Sequence, residues 1–234
     1  MWAACDLTSN IIQERYIMKT VALIPIKLGS KRVPGKNVKP FFDGTPLMHF
    51  IQKVCLTANN IDEVYIYCSD DAVQDYILPG VKYLKRPEYL DGDNINANDF
   101  IREFISTIDA DIYVNAHATS PFAKVETIEE CVEKVACGEY DSAFCAEIIR
   151  TFMWENGKPL NFNPDHFPRT QDLPLIYGET SIAYVFTKES FLKHNRRLGS
   201  HPYIKEVDKI EAMDIDYPED FAICDAIYKE MIKR

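Results

Sequence analysis

TVALIPIKLGSKRVPGKNVKPF, residues 20–41, is the stretch from which the rest of the chain is read. It opens with Val21-Ala22-Leu23-Ile24, an apolar run of the kind that forms a strand buried on both faces. It then breaks into a loop holding Lys27, Lys31, Arg32, Lys36 and Lys39 with no acid among them, in a protein of net charge −10. Gly29 and Gly35 let backbone approach a ligand closely, and Pro25 and Pro34 stiffen the turn. A stiff cationic loop after a buried strand suits a polyphosphate: ammonium groups supply charge and backbone N–H groups supply geometry. A solvated basic loop between strand and helix is the plainer reading of the charge alone. The loop is not a Walker A motif, which has four residues between its glycines and then Lys-Ser/Thr. Here five residues, Ser30 to Pro34, intervene and Lys36-Asn37 follows.

The length of 234 residues suits one large α/β domain with room for a small lobe, and 47% hydrophobic residues suffice for a core. The acidic balance argues against nucleic acid or an anionic membrane as main partner. A basic loop in an acidic protein points to a small anionic ligand instead. Seven cysteines are scattered without a C-x-x-C pair, which favours free thiols in a reducing cytoplasm. No apolar run approaches the length of a membrane span. Residues 1–19 lack the basic start and apolar core of a signal peptide and are expected to be a dispensable, disordered extension.

Ile24-Pro25-x-x-x-Gly29-Ser30-Lys31-Arg32-x-Pro34-x-Lys36-Asn37 resembles the signature loop of the sugar cytidylyltransferases, closest to the acylneuraminate branch. That resemblance runs from about Thr20 to the end, with later motifs in the family's order. It implies a three-layer α/β/α Rossmann-like fold of the nucleotide-diphosphosugar transferase type, with a mostly parallel sheet over residues 20–234. A lobe at 148–180 would cover the sugar and build a homodimer. It implies CMP transfer from CTP to an acidic nine-carbon (or eight-carbon) 2-keto sugar, with Mg2+. The same fold acting on another sugar, such as 3-deoxy-manno-octulosonate, and a non-catalytic nucleotide-binding relative both stay open.

The resemblance also distributes roles. Lys31 and Lys36 would hold the β- and γ-phosphates, and Lys27 would sit near the α-phosphate or the leaving pyrophosphate. Ser30 and Asn37 would fix the nucleotide, with Arg86 of Arg86-Pro87 touching phosphate or base. Asn98 would cap a helix over 99–108 while facing the cleft. His117-Ala118-Thr119-Ser120-Pro121-Phe122 matches the family's Q-P-T-S-P-L, so His117 replaces a sugar-contacting Gln. Arg169 is the candidate for the sugar carboxylate. Thr180 and Ser181 stand where the family has Asn-Gly, again at the sugar. Lys27 and Ala123 both stand where the family commonly has Arg. Met213-Asp214-Ile215-Asp216-Tyr217-Pro218-Glu219-Asp220 reads like D-I-D-x-P-E-D-F. Asp214 and Asp216, two apart on an expected strand end, would face the same way and hold magnesium with substrate phosphate.

Between these motifs, patterning predicts helices over 46–58, 127–137 and 218–233 and strands over 64–68, 81–84, 111–116 and 141–147. Thr45 is expected to cap the first helix, and His49 within it is expected to be structural.

Overall fold

The computed structural model describes residues 18–232. The expected extension therefore lies almost wholly outside the described residues, as does Cys5. Its last two positions belong to the domain. Met18 packs on the core, and the Lys19 N–H donates to Asp111 while its carbonyl accepts from the N–H groups of Asp111 and Ile112.

The opening apolar run is strand β1, Thr20–Pro25, with Val21 to Ile24 wholly inaccessible to solvent. Helix α1 (Met48–Thr57) leads to β2 (Glu63–Cys68), and a short 3-10 turn leads on to β3 (Lys82–Lys85). Helix α2 (Ala97–Thr107) precedes β4 (Ile112–Ala116), and α3 (Val125–Ala136) precedes β5 (Ser142–Ile148). A two-residue hairpin follows, β6 (Trp154–Glu155) with β7 (Lys158–Pro159). Then come β8 (Tyr177–Thr187), α4 (Lys188–His194), β9 (Pro202–Glu206) and α5 (Pro218–Ile232).

Seven strands form one sheet in the order β3-β2-β1-β4-β8-β5-β9. Only β8 runs antiparallel to its neighbours, so the sheet is mostly parallel as expected. Ala22, Ile24, Val64, Ile66, Ile112 and Val114 face one apolar layer with α1 and α3. Val21, Leu23, Tyr65, Tyr67 and Tyr113 face the other, with Phe104 of α2 and Phe191 of α4. Alternating side chains of one strand feed both layers, which is why the sequence reads as an unbroken apolar run. A third cluster, Phe41, Leu47, Phe122, Ile215, Phe221 and Cys224, seats α5 against the loop after β1.

Three local readings differ. Thr45 does not cap α1; its hydroxyl and N–H both donate to Asp43, closing the turn instead. Asn96, not Asn98, caps α2: its side chain accepts from Asn98 and Asp99 N–H while Asp99 reaches back, a reciprocal box. Asp214 and Asp216 lie in an irregular segment before α5 rather than on a strand end. His49 is structural as expected, its Nε2 against the Tyr76 carbonyl at 3.1 Å.

Candidate active site

Connections leave β1 toward β2 on one side, while β4 lies on the other, so strand order reverses between β1 and β4. Ligands in open α/β sheets bind beyond the carboxyl ends of strands at such a point. Two adjoining hollows occupy this place. One, about 250 Å³, is lined by Pro25, Lys27, Ser30, Lys36, Asn37 and Thr119, with His117 at its wall. The other, about 300 Å³, shares Pro25, Lys27 and His117 and runs on to Arg86, Leu90 and Ile95.

The loop is pinned by its own backbone. Gly35 has φ 64°, a left-handed conformation that a side chain disfavours, and starts the 3-10 turn Lys36–Val38. Asn37 is buried, with Nδ2 donating to the Lys27 carbonyl at 3.0 Å. Its Oδ1 has no partner. The Ser30 hydroxyl accepts from Val33 N–H.

The five loop cations diverge. Lys27 and Lys36 line the cleft. Lys36 is buried and its Nζ donates to the Ile215 carbonyl. Arg32 forms an ion pair with Asp216 at 2.7 Å, and Lys36 approaches the same oxygen at 3.5 Å. Arg32 also lies over the Tyr217 ring. Lys31 points outward to exposed Asp93, and Lys39 sits over Phe221. The sequence reading assigned Lys31 to phosphate and gave Arg32 no role. The geometry puts Arg32 at the carboxylates.

Asp214 and Asp216 sit in unlike surroundings. Between them Ile215 is fully buried and its N–H donates to the Thr119 carbonyl at 2.9 Å. Asp214 is reached by the hydroxyls of Ser181 and Thr119, yet its buried Oδ1 has no partner. Burial raises its pKa, and neighbouring Asp216 raises it further. Asp216 is half-exposed and already neutralised by Arg32 and Lys36. An unpaired buried carboxylate oxygen is costly unless a cation completes it. Magnesium fits here, because it takes one or two carboxylates and draws its other ligands from phosphate and water. Among the described residues no group of three or more His, Cys, Asp or Glu is gathered, so a metal at this pair would lean on substrate oxygens.

Arg86 is buried and holds the neighbouring loop, with Nη2 on Asp91 at 2.6 Å and Nη1 on the Tyr67 carbonyl. Its Nε is unpartnered. Asn98 stands in the first turn of α2 and accepts from the Arg197 N–H. His117 is half-buried, and burial, aided by the Arg197 charge, pulls its pKa down to about 4, so the ring is neutral near pH 7. Its Nε2 lies 3.3 Å from Asn115 Oδ1.

The register between β5 and β8 shifts between Phe144 and Ala146. Such irregularities re-aim side chains at strand ends. Here Ser181 reaches Asp214, while Thr180 is buried and turns into the sheet, its hydroxyl on the Cys145 carbonyl at 3.0 Å. Thr180 is therefore part of the scaffold and does not face a ligand. Arg169 lies on the lobe, exposed and paired with Asp172; the fold of one chain does not bring it to the cleft lining. Ala123 is buried in the main core, leaving no place for an arginine head there. The next cation, Lys124, pairs instead with Asp208 and Glu211.

A switch-point cleft with a cationic loop on one side and a carboxylate carrying an unpartnered oxygen on the other is the kind of site in which an α/β protein can hold a small anionic ligand. The chain belongs to the cytidylyltransferase family, whose model matches residues 21–232. It is similar to N-acylneuraminate cytidylyltransferase A of Danio rerio, 28% identical over 87% of this chain and 49% of that protein. It is also similar to the pseudaminic acid cytidylyltransferase of Campylobacter jejuni, 25% identical over 91% of this chain and 97% of that protein. The chain thus spans about half the length of the acylneuraminate relatives. In fold it is similar to CMP:2-keto-3-deoxy-manno-octonic acid synthetase complexed with CTP, with a TM-score of 0.70 and 18% identity, over 91% of this chain and 99% of that one.

Proposed function

We propose that this chain transfers CMP from CTP to the anomeric hydroxyl of a sialic-acid-like 2-keto acid sugar. The observation that carries the reading is the Asp214–Asp216 pair standing beside Lys36, with one buried carboxylate oxygen still unpaired. A protein that only bound a nucleotide would have no use for that cost. The sugar oxygen attacks the α-phosphorus in line. A new phosphorus–oxygen bond forms, the bond to the bridging oxygen breaks, pyrophosphate leaves with its electron pair, and the hydroxyl proton passes to solvent. Lys36 and Lys27 neutralise the triphosphate, and Ser30, Asn37 and Arg86 position the nucleotide. Asp214 and Asp216 would hold Mg2+, which when bound supplies charge neutralisation at the reacting phosphate and a more acidic sugar hydroxyl. Positioning and electrostatics carry the rest, as in other phosphoryl chemistry.

The lobe supports a homodimer in this reading. Phe152, Trp154, Phe162 and Phe167 pack ring against ring, with Trp154 and Phe167 exposed; Leu160 of the same segment is exposed too. A contiguous exposed apolar patch suits association. Free thiols at every cysteine among the described residues support a cytoplasmic setting. None of the described helices is long and apolar enough to cross a membrane.

The test is pyrophosphate release with magnesium, offering each of the four ribonucleoside triphosphates against nine- and eight-carbon 2-keto acid sugars. Release with CTP and one such sugar is expected. Release with another triphosphate, or none from folded protein with any pair, would overturn the reading.

A further inference from the structure

The cleft edge can be followed strand by strand. Arg86 follows the end of β3, Lys27 lies beyond β1, and His117 lies beyond β4. Next comes β8, which runs the other way and so brings its first residues to this edge. Ala183 pairs with Ala116, and the His117 N–H donates to the Ile182 carbonyl. Residues 179–182 therefore continue the cleft wall past His117. The two hollows already described lie on the β1 side of this point. An acceptor attacking the α-phosphorus must approach from the remaining side, over β4 and β8.

One cation waits there, and no motif predicted it. The Arg197 guanidinium carbon lies over the Tyr184 ring, 3.4 Å from its centre, in cation–π contact. The Tyr184 ring is in turn 5.9 Å from the His117 ring. Arg197 is held in three ways. Its backbone N–H donates to the Asn98 side chain on α2, its guanidinium rests on Tyr184, and Nη2 stands 3.7 Å from Glu179. Glu179 is itself fixed by the Tyr184 hydroxyl. A guanidinium stacked by its face keeps its N–H edge available, and that edge matches a carboxylate with two parallel hydrogen bonds. The separation from Glu179 exceeds hydrogen-bond length, so the pair orients Arg197 without consuming its donors.

We infer that Arg197, stacked on Tyr184 and steered by Glu179, is the residue that receives the carboxylate of the acceptor sugar. This rests on the cytidylyltransferase reading above. It gives the carboxylate to a group within the fold of one chain, where Arg169 stands apart on the lobe paired with Asp172. It also gives neutral His117 a place between nucleotide and sugar, where a positive ring would compete with Arg197 for the same anion.

The test compares the acceptor sugar with its methyl ester, which keeps the shape and removes the charge, in wild type, Arg197→Ala, Arg197→Lys and Arg169→Ala. Wild type is expected to show a sugar KM roughly 10- to 100-fold higher for the ester, the scale of a charge-assisted contact. In Arg197→Ala the sugar KM should rise by a similar factor, the acid–ester difference should vanish, and the KM for CTP should stay put. Arg197→Lys should recover part of the discrimination, because it restores charge without the fork. Arg169→Ala should leave the discrimination intact. An Arg197→Ala enzyme that still discriminates acid from ester, or a loss that follows Arg169 instead, overturns this inference while leaving the reaction standing. A wild type that releases no pyrophosphate with any acidic sugar overturns both.

Discussion

The two walls of the cleft are built on different principles. On the β1 wall, a doubly buried strand ends in a loop whose glycine turn, buried Asn37 and buried Lys36 are fixed by backbone contacts. On the β8 wall, the groups facing the cleft come from an antiparallel strand with a register shift and from the segment between α4 and β9. In the proposed reaction the triphosphate is constant in shape and charge, which suits a wall written in few residue types at close spacing. The proposed acceptor varies, and the wall inferred to take it is assembled from side chains far apart in sequence. Asn98, His117, Glu179, Tyr184 and Arg197 meet only because α2, β4 and β8 pack together.

This contrast can be broken most severely at the carboxylates, which serve both walls. Asp214→Asn should lower turnover roughly a thousandfold or more, the several kcal/mol a Lewis-acid metal contributes. The same change should raise the melting temperature of the metal-free protein at pH 7. The folded Asp214 pKa lies above its ordinary value, so the ionised form costs stability once pH passes the unfolded pKa, and an amide avoids that cost. Retained turnover at saturating magnesium would remove Asp214 from the chemistry, and a lower melting temperature would mean its charge is already compensated.

Lys36→Ala comes next. It should weaken CTP binding by roughly 10- to 100-fold, as measured by calorimetry, while the sugar KM stays within about twofold. Equal losses for both substrates would show that the walls are not separable. His117→Gln probes the border between them. A folded histidine pKa of about 4 against an ordinary 6.5 means the unfolded chain takes up the proton first. Wild type should lose up to about 3 kcal/mol relative to the variant as pH falls from 6.5 to 4, and nothing above that window. Parallel denaturation curves for the two proteins across this range would show that the ring is not desolvated. The smallest effect belongs to the lobe. Trp154→Ser with Phe167→Ser should shift folding stability by only about 0.5 kcal/mol, as surface changes do. On the proposed homodimer it should give a monomer in sedimentation where the wild type is a dimer; an unchanged dimer would move the interface elsewhere, and a monomeric wild type would remove the homodimer.

The same contrast explains how much could be read in advance. β1, β2 and β4 were legible because both faces of each strand are buried, so the apolar run is continuous. The backbone of the Asp214–Asp216 motif was misjudged, since Ile215 between them packs inward from an irregular segment and not from a strand end. β8 was read only as a short polar motif, because the register shift breaks its alternation and its first residues are Tyr-Gly-Glu-Thr-Ser. α4 is seven residues long and β9 begins with proline, so neither offers a pattern long enough to detect. Asn98 was mistaken for the cap of α2 because Asn96 and Asn98 are both suitable; only the acid three residues after Asn96 selects between them. Arg197 carried no signal at all: one arginine beside another, given meaning by a tyrosine from a different strand.

The position of β8 also sets an order of assembly. β4 and β5 are close in sequence but never pair; the strand that joins them begins at Tyr177, after the whole lobe has been made. Closing such a distant pairing is slow compared with local contacts. On a ribosome, β1 to β4 can pair while β8 and Asp214 are still unsynthesised, but the loop after β1 gains its contacts to Ile215, Asp216 and Phe221 only when the end of the chain arrives. The last stretch to leave the ribosome is therefore the one that seats the first loop of the sheet.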